Sequence, residues 1–353
     1  MALPILLPGA AAVLAFVFAL ALLDQWRERR RPFQLIWAIG MVFFGIGAGA
    51  EAVGAAAGWN EALYRTWYLT GAVFTAAWLG LGTAFLLAKT RFGLTYGLLL
   101  ALGGLVAFMA RRAYPDAGDF GMLLMIGALV LGLAIAIETY FQNERWPLIA
   151  AIGVVSFSLL ATYVAFFMPL ASSTIAIDPH TGVPTGAAIA GPERLISLLM
   201  NISGGLALIL GALFSAYVFM PKRRVLDYSL DPGQPGDQFV FNLIIAPVAI
   251  AVNFVASLPG AARALATGRI HSRVPATMLI AIGGFAAGAG DLLSRLGSTD
   301  LFQAAKLLAV MLIFLGFLVS IEAFREVRIP FTRVVLRTAR RERAEAAGSG
   351  QGA

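Results

Sequence analysis

The sequence predicts an all-α polytopic membrane protein of about nine transmembrane helices, and three observations carry that class. Of 353 residues, 59% are hydrophobic and only 13% are charged, whereas soluble domains run near ~25% charged. Apolar runs of about 18 or more residues recur along the whole chain, the length a helix needs to cross a hydrocarbon core roughly 30 Å thick. These runs are continuous, not alternating with a period of two, which points to helices and away from a transmembrane barrel.

Taken in order, the first span is residues 4–23. No basic residue precedes it, and Arg27, Arg29, Arg30 and Arg31 follow it. A signal peptide has the opposite arrangement, so a retained helix with its N-terminus outside is expected. In the second span, 34–58, Gly40, Gly47, Glu51, Gly54 and Gly58 share one face, a surface on which another helix can approach closely. Trp59, Tyr64, Trp67 and Tyr68 precede the third span, 65–88, and read as an outer aromatic belt. Spans four to seven follow at 93–110, 120–139, 147–170 and 195–219. Between the last two, Ile175 to Gly182 reads as a strand entering a turn.

The run 239–258 is long enough to span but is interrupted by Pro247. It is expected to be re-entrant or to lie along the inner face, with a tenth span as the alternative. If it does not cross, 20 Lys and Arg fall on one side and five (Arg65, Arg111, Arg112, Arg194, Arg295) on the other. That is the asymmetry of the positive-inside effect. The organisation is then a seven-helix bundle over 1–220, a cytoplasmic loop over 221–275, a helical hairpin over 276–324 and a basic tail over 325–353. From Arg325 the tail alternates apolar and basic residues and is expected to form a short amphipathic helix on anionic lipid. Residues 346–353 are rich in Gly, Ser and Ala and read as disordered.

Several chemistries are excluded. The chain has no cysteine, hence no disulfide, thiolate metal site or iron–sulfur ligation. Its two histidines, His180 and His271, both fall in loops, which leaves no helix-borne pair for haem b and no H-E-x-x-H motif. There is no P-loop and no dinucleotide fingerprint. Neither a metal, a cofactor nor a catalytic set is expected. The net charge of +7 sits in loops and the tail, so it marks membrane topology and not nucleic-acid binding.

Ionisable groups inside apolar helices are functional candidates by default. Five residues make up the candidate intramembrane polar site: Glu51, Asn201, Ser203, Asp291 and Lys306. Asp291 and Lys306 lie symmetrically about the turn Gly297-Ser298-Thr299-Asp300, at equal depth on antiparallel helices, and a direct ion pair between them is expected. Glu51 sits toward the outer leaflet, with Arg65 or Arg194 as expected partners.

Gly288-Ala289-Gly290-Asp291 is similar to the G-x-G-D element of intramembrane aspartyl proteases, over four residues. Such a dyad shares a proton between two carboxylates about 3 Å apart. Those families place the second in a Tyr-Asp dipeptide, which this chain lacks. Lys306 in the last helix resembles the Schiff-base lysine of retinal proteins, but span three holds no carboxylate to serve as counter-ion. Seven N-terminal spans with the N-terminus outside resemble the input modules of some bacterial sensor proteins, by architecture alone.

The expectation is therefore a multi-pass protein of bacterial type in the plasma (inner) membrane, with its C-terminus cytoplasmic. It would act as a non-enzymatic scaffold, complex subunit or sensor-like module. The alternative is a small-molecule or lipid transporter using Glu51, Asp291 and Lys306. Expected partners are the lipid bilayer, anionic lipid at the tail and another membrane protein.

Overall fold

The structure, a computed structural model, describes residues 3–141, 143–178, 183–229, 236–267, 270–295 and 300–320, with two short tail strands. Side chains within 236–244 and 291–300 lie outside the described ones, as do the turn 296–299 and residues 338–353.

Among the described residues eleven α-helices follow one another: α1 (Leu3–Arg29), α2 (Pro32–Ala57), α3 (Glu61–Trp67), α4 (Thr75–Leu86), α5 (Phe92–Ala110), α6 (Phe120–Tyr140), α7 (Trp146–Phe167), α8 (Gly191–Phe219), α9 (Gly236–Ala266), α10 (Arg273–Arg295) and α11 (Asp300–Ser320). Helices α3 and α4 are joined through a π-helical segment, Tyr68–Phe74, and together form one rod from Glu61 to Leu86. Their ends follow from local chemistry. Pro32, Pro147 and Pro192 occupy the first turns of α2, α7 and α8, where a missing N–H costs nothing. Asn60 caps α3 by accepting from the Leu63 amide at 2.9 Å. Among the described residues ten helices, counting the α3–α4 rod once, are long and apolar enough to cross a membrane. The protein is an all-α polytopic membrane protein.

The helices alternate in direction between two ends of the bundle. Gly9 of α1 faces Ala52 of α2, and Phe16 faces Gly45, so these two are antiparallel. Gly80 of α4 meets Gly204 of α8 while Thr83 meets Gly211, so α4 and α8 run parallel. Helix α10 returns along α8, with Gly284 beside Leu208 and Ile209. One buried cluster joins α4 to α8 around Tyr96, Trp146, Leu195 and Leu199. A second joins α1, α2, α8, α10 and α11 around Phe18, Met41, Leu208, Ile280 and Phe317. The closing hairpin is thus packed onto the first two helices: the Phe18 ring lies 4.9 Å from Phe314 and 5.0 Å from Phe317.

Helix α8 ends and α10 begins at the same end of the bundle. Val274 packs with Ala216, Tyr217 and Met220, and Arg273 sits over Phe219 at 4.7 Å. The run 239–258, for which a re-entrant or interfacial path was expected, is part of the 31-residue α9, which lies in the connection between them. Helix α9 contains Pro247 and Pro259 without losing helical form.

One local expectation turns out differently. In place of an amphipathic helix, the tail holds two antiparallel strands, Glu326–Arg328 and Val335–Arg337, in the register Glu326↔Arg337. Pro330, between the two strands in sequence, interrupts any continuous helix there. In the α7–α8 loop the expected small hairpin is seen at its base: Ile177 and Pro184 form an antiparallel bridge, the Asp178 amide donates to the Val183 carbonyl at 2.9 Å and the Thr185 amide to the Ala176 carbonyl at 2.8 Å; its turn, 179–182, lies outside the described residues.

A close helix crossing sets the distance between α4 and α8. A Cβ built on Gly80 would lie 2.5 Å from the Gly204 carbonyl oxygen. Gly80→Val is therefore expected to lower stability by at least about 1–3 kcal/mol, the cost of overpacking, read as a reduced melting temperature in detergent. Gly205→Ala, where nothing lies within 4 Å, should leave it unchanged or slightly raised. Equal melting temperatures for the two variants would refute this crossing.

Candidate functional site

Glu51 is 2% exposed, in the last two turns of α2. Three residues converge on its carboxylate. Trp67, the last residue of α3, donates its indole N–H to Oε1 at 2.7 Å. Gln303 on α11 donates its Nε2 to Oε2 at 3.0 Å. Lys306, one turn further on, donates Nζ to both oxygens at 2.6 and 2.7 Å. Gln303 and Lys306 are three residues apart and so share a helix face. The lysine side chain is 16% exposed, and its ammonium also lies 4.9 Å from the Phe302 ring centre.

The aromatic residues expected at an outer belt turn inward here. Tyr64 is fully buried and donates its hydroxyl to the Thr185 carbonyl at 2.9 Å. Trp67 packs between Trp59, Tyr64 and Tyr68, with ring centres 5.7 to 6.0 Å apart. With the α7–α8 loop residues Ala188 and Ile189 they form a small core beside the site. A belt residue needs one wet end; Tyr64 and Trp67 find protein acceptors instead.

Each sequence candidate can now be placed. Glu51 and Lys306 come together, although 255 positions separate them. The expected pairing of Glu51 with Arg65 is not formed. Arg65 is held by Glu61 at 2.7 Å, one turn away, and by the Ala165 carbonyl. The expected Asp291–Lys306 pair falls on a side chain outside the described ones; the ammonium of Lys306 is on Glu51.

Asn201 and Ser203 do not reach the site. Asn201 donates to the Ala72 carbonyl in the π-helical segment, and Ser197 donates to the same oxygen at 2.8 Å. A widened turn loosens the regular backbone ladder, and a bilayer provides no water to replace a lost donor. Two side chains from α8 fill that role. Ser203 back-bonds to Leu199 at 2.7 Å within its own helix.

Sequence reasoning missed two members of the cluster, Trp67 and Gln303. Gln303 had one available signal, its position one turn before Lys306 on an apolar helix. It also missed Glu193, which is 1% exposed in the first turn of α8 with Oε1 unpaired. Glu193 lies just ahead of the span expected to begin at 195, and no candidate was drawn from that position.

Chemically, the cluster is a closed acceptor. Each carboxylate oxygen of Glu51 accepts twice, once from the ammonium and once from a neutral N–H. Buried ion pairs persist only when such extra hydrogen bonds offset desolvation. One atom is unused: the Gln303 Oε1, buried and without a partner. The amide cannot turn over to remedy this, because its Nε2 is held by the carboxylate. Among the described residues no group of three His, Cys, Asp or Glu could hold a metal. Searches of family models, curated proteins and solved structures find no match to this chain.

Removing one member of a buried pair strands the other, at a cost of about 3–5 kcal/mol. Glu51→Gln and Lys306→Met should each lower thermal stability by that order. The double variant should recover a large part of the loss, since coupled residues are not additive. Strict additivity in this cycle would show that the two charges are not coupled.

Proposed function

We propose that this multi-pass membrane protein is a non-enzymatic scaffold, complex subunit or sensor-like module. The observation that carries the reading is the state of Glu51. Its carboxylate is saturated by Trp67, Gln303 and Lys306, so a buried ion pair binds α2, α3 and α11 together. A transport site needs groups that can exchange partners with a cargo, whereas a clip between helices needs them engaged with each other. On this reading the protein sits in a plasma (inner) membrane of bacterial type, with the N-terminus outside and the C-terminus cytoplasmic, the orientation favoured by its basic loops.

Small-molecule transport is the second reading, and one observation favours it: the buried, unpartnered Gln303 Oε1 beside the ion pair. A hydrogen-bond donor arriving at that oxygen would find an ammonium and a carboxylate within reach.

Two measurements separate the readings. Extracted from native membranes in mild detergent, the full chain should elute as a stable assembly with another membrane protein; elution alone would sink the scaffold reading. In proteoliposomes loaded with a pH-sensitive dye and placed under an imposed potential, it should conduct no protons above protein-free vesicles. A flux abolished by Glu51→Gln would move the assignment to transport.

A further inference from the structure

Helix α9 is long enough to cross a membrane, at 31 residues and about 46 Å, yet both of its neighbours meet at one end of the bundle. Helix α8 finishes there and α10 starts there, with the His271 ring 4.8 Å from that of Phe219 and Val274 against Met220. A single crossing between them would carry the chain to the opposite end. Parity therefore forbids it.

The middle of α9 is tied to that same end by its polar face. Asn253, fully buried, accepts from the amides of Val225 and Leu226 at 2.7 and 2.9 Å and donates to the Leu226 carbonyl at 2.7 Å. Ser257, one turn on, accepts from the Arg223 amide at 2.8 Å. These two side chains supply hydrogen bonds to a segment without helical partners of its own. The segment contains Lys222, Arg223 and Arg224, all exposed. Basic residues immediately after a membrane helix sit at the phosphate level. Through Asn253 and Ser257 they fix the depth of α9 at that level too.

The opposite face of α9 is apolar and bare. Val248, Val252 and Val255 recur at helical spacing, 38% to 63% exposed. No charge occurs from Pro247 to Ala262. Ile250, Phe254 and Ala261 face the bundle instead, against Tyr217 and Val274. Over Pro247 to Ala262 the two polar side chains Asn253 and Ser257 are consumed internally and the outer face carries no charge, so lipid is the matching solvent for that stretch.

We propose that α9 does not cross the membrane but lies in its surface layer, with the Val248–Val252–Val255 face seated in acyl chains beside the Lys222–Arg224 run. The chain then makes nine crossings, and residues 222 and 267 lie on the same side.

The absence of cysteine makes single-cysteine variants of the full chain clean probes. In right-side-out and inside-out membrane vesicles, Lys222→Cys and Thr267→Cys should react with an impermeant maleimide from the same side, at similar rates. Val255→Cys should react at least tenfold more slowly from either side. Labelled with a small fluorophore and reconstituted in phosphatidylglycerol–phosphatidylcholine vesicles, it should be quenched more by nitroxide near the headgroup than by nitroxide at the chain end. Reaction of positions 222 and 267 from opposite sides would overturn the proposal. So would water-exposed reactivity at 255, or stronger quenching from the chain end.

Discussion

The contact on which the arrangement of this bundle most depends is the buried pair between Glu51 and Lys306. It joins the second helix to the eleventh, and with Trp67 it includes the third. Most other long-range contacts here are apolar or between small residues, and such contacts tolerate sliding by a turn. An ion pair with two added neutral donors does not: displacing α11 by one residue would misplace both Gln303 and Lys306. In a low-dielectric interior each charge is expensive alone, so the pair holds the closing hairpin in register against α1 and α2.

The same physics governs the neutral polar groups. Lipid offers no hydrogen bonds, so polar atoms between helices are paired to backbone carbonyls close by. Trp37 donates to Leu79 at 2.9 Å, Trp146 to Ala88 at 3.0 Å, and Ser197 with Asn201 to Ala72. Individually such bonds are worth about 0.6 kcal/mol in a membrane bundle. Their role is to make specific the close approaches that glycine permits, as where Gly97 and Gly132 place backbone on backbone between α5 and α6. The π-helical segment belongs to this scheme, since its widened turn follows Trp67 and is supported by α8.

Outside the bundle, α9 illustrates how composition can mislead. By length and apolarity it qualifies as a span, because lipid contact on one face and protein contact on the other both select apolar residues. Between Leu243 and Ala262 only Asn253 and Ser257 break the pattern, and they serve the polypeptide leaving α8. Burial in protein and burial in lipid are alike in sequence but differ in which end of the bundle the helix begins and ends on.

The membrane class, the helical architecture and nearly every span boundary were legible in the sequence, because the energetics of crossing hydrocarbon act on each segment separately. Glu51 and Lys306 were likewise visible as charges that apolar helices would not carry without reason. Their partnership was not, since Lys306 looked matched to Asp291, its neighbour in sequence, and Glu51 to Arg65. Asn201 and Ser203 were grouped with them by depth alone, and the fold sends them elsewhere. Which helix faces which is decided by packing summed over the whole bundle, through small-residue crossings and aromatic clusters that no single segment contains. The tail strands differ for a local reason: Pro330 breaks a continuous helix there, and the structure pairs Glu326–Arg328 with Val335–Arg337 instead.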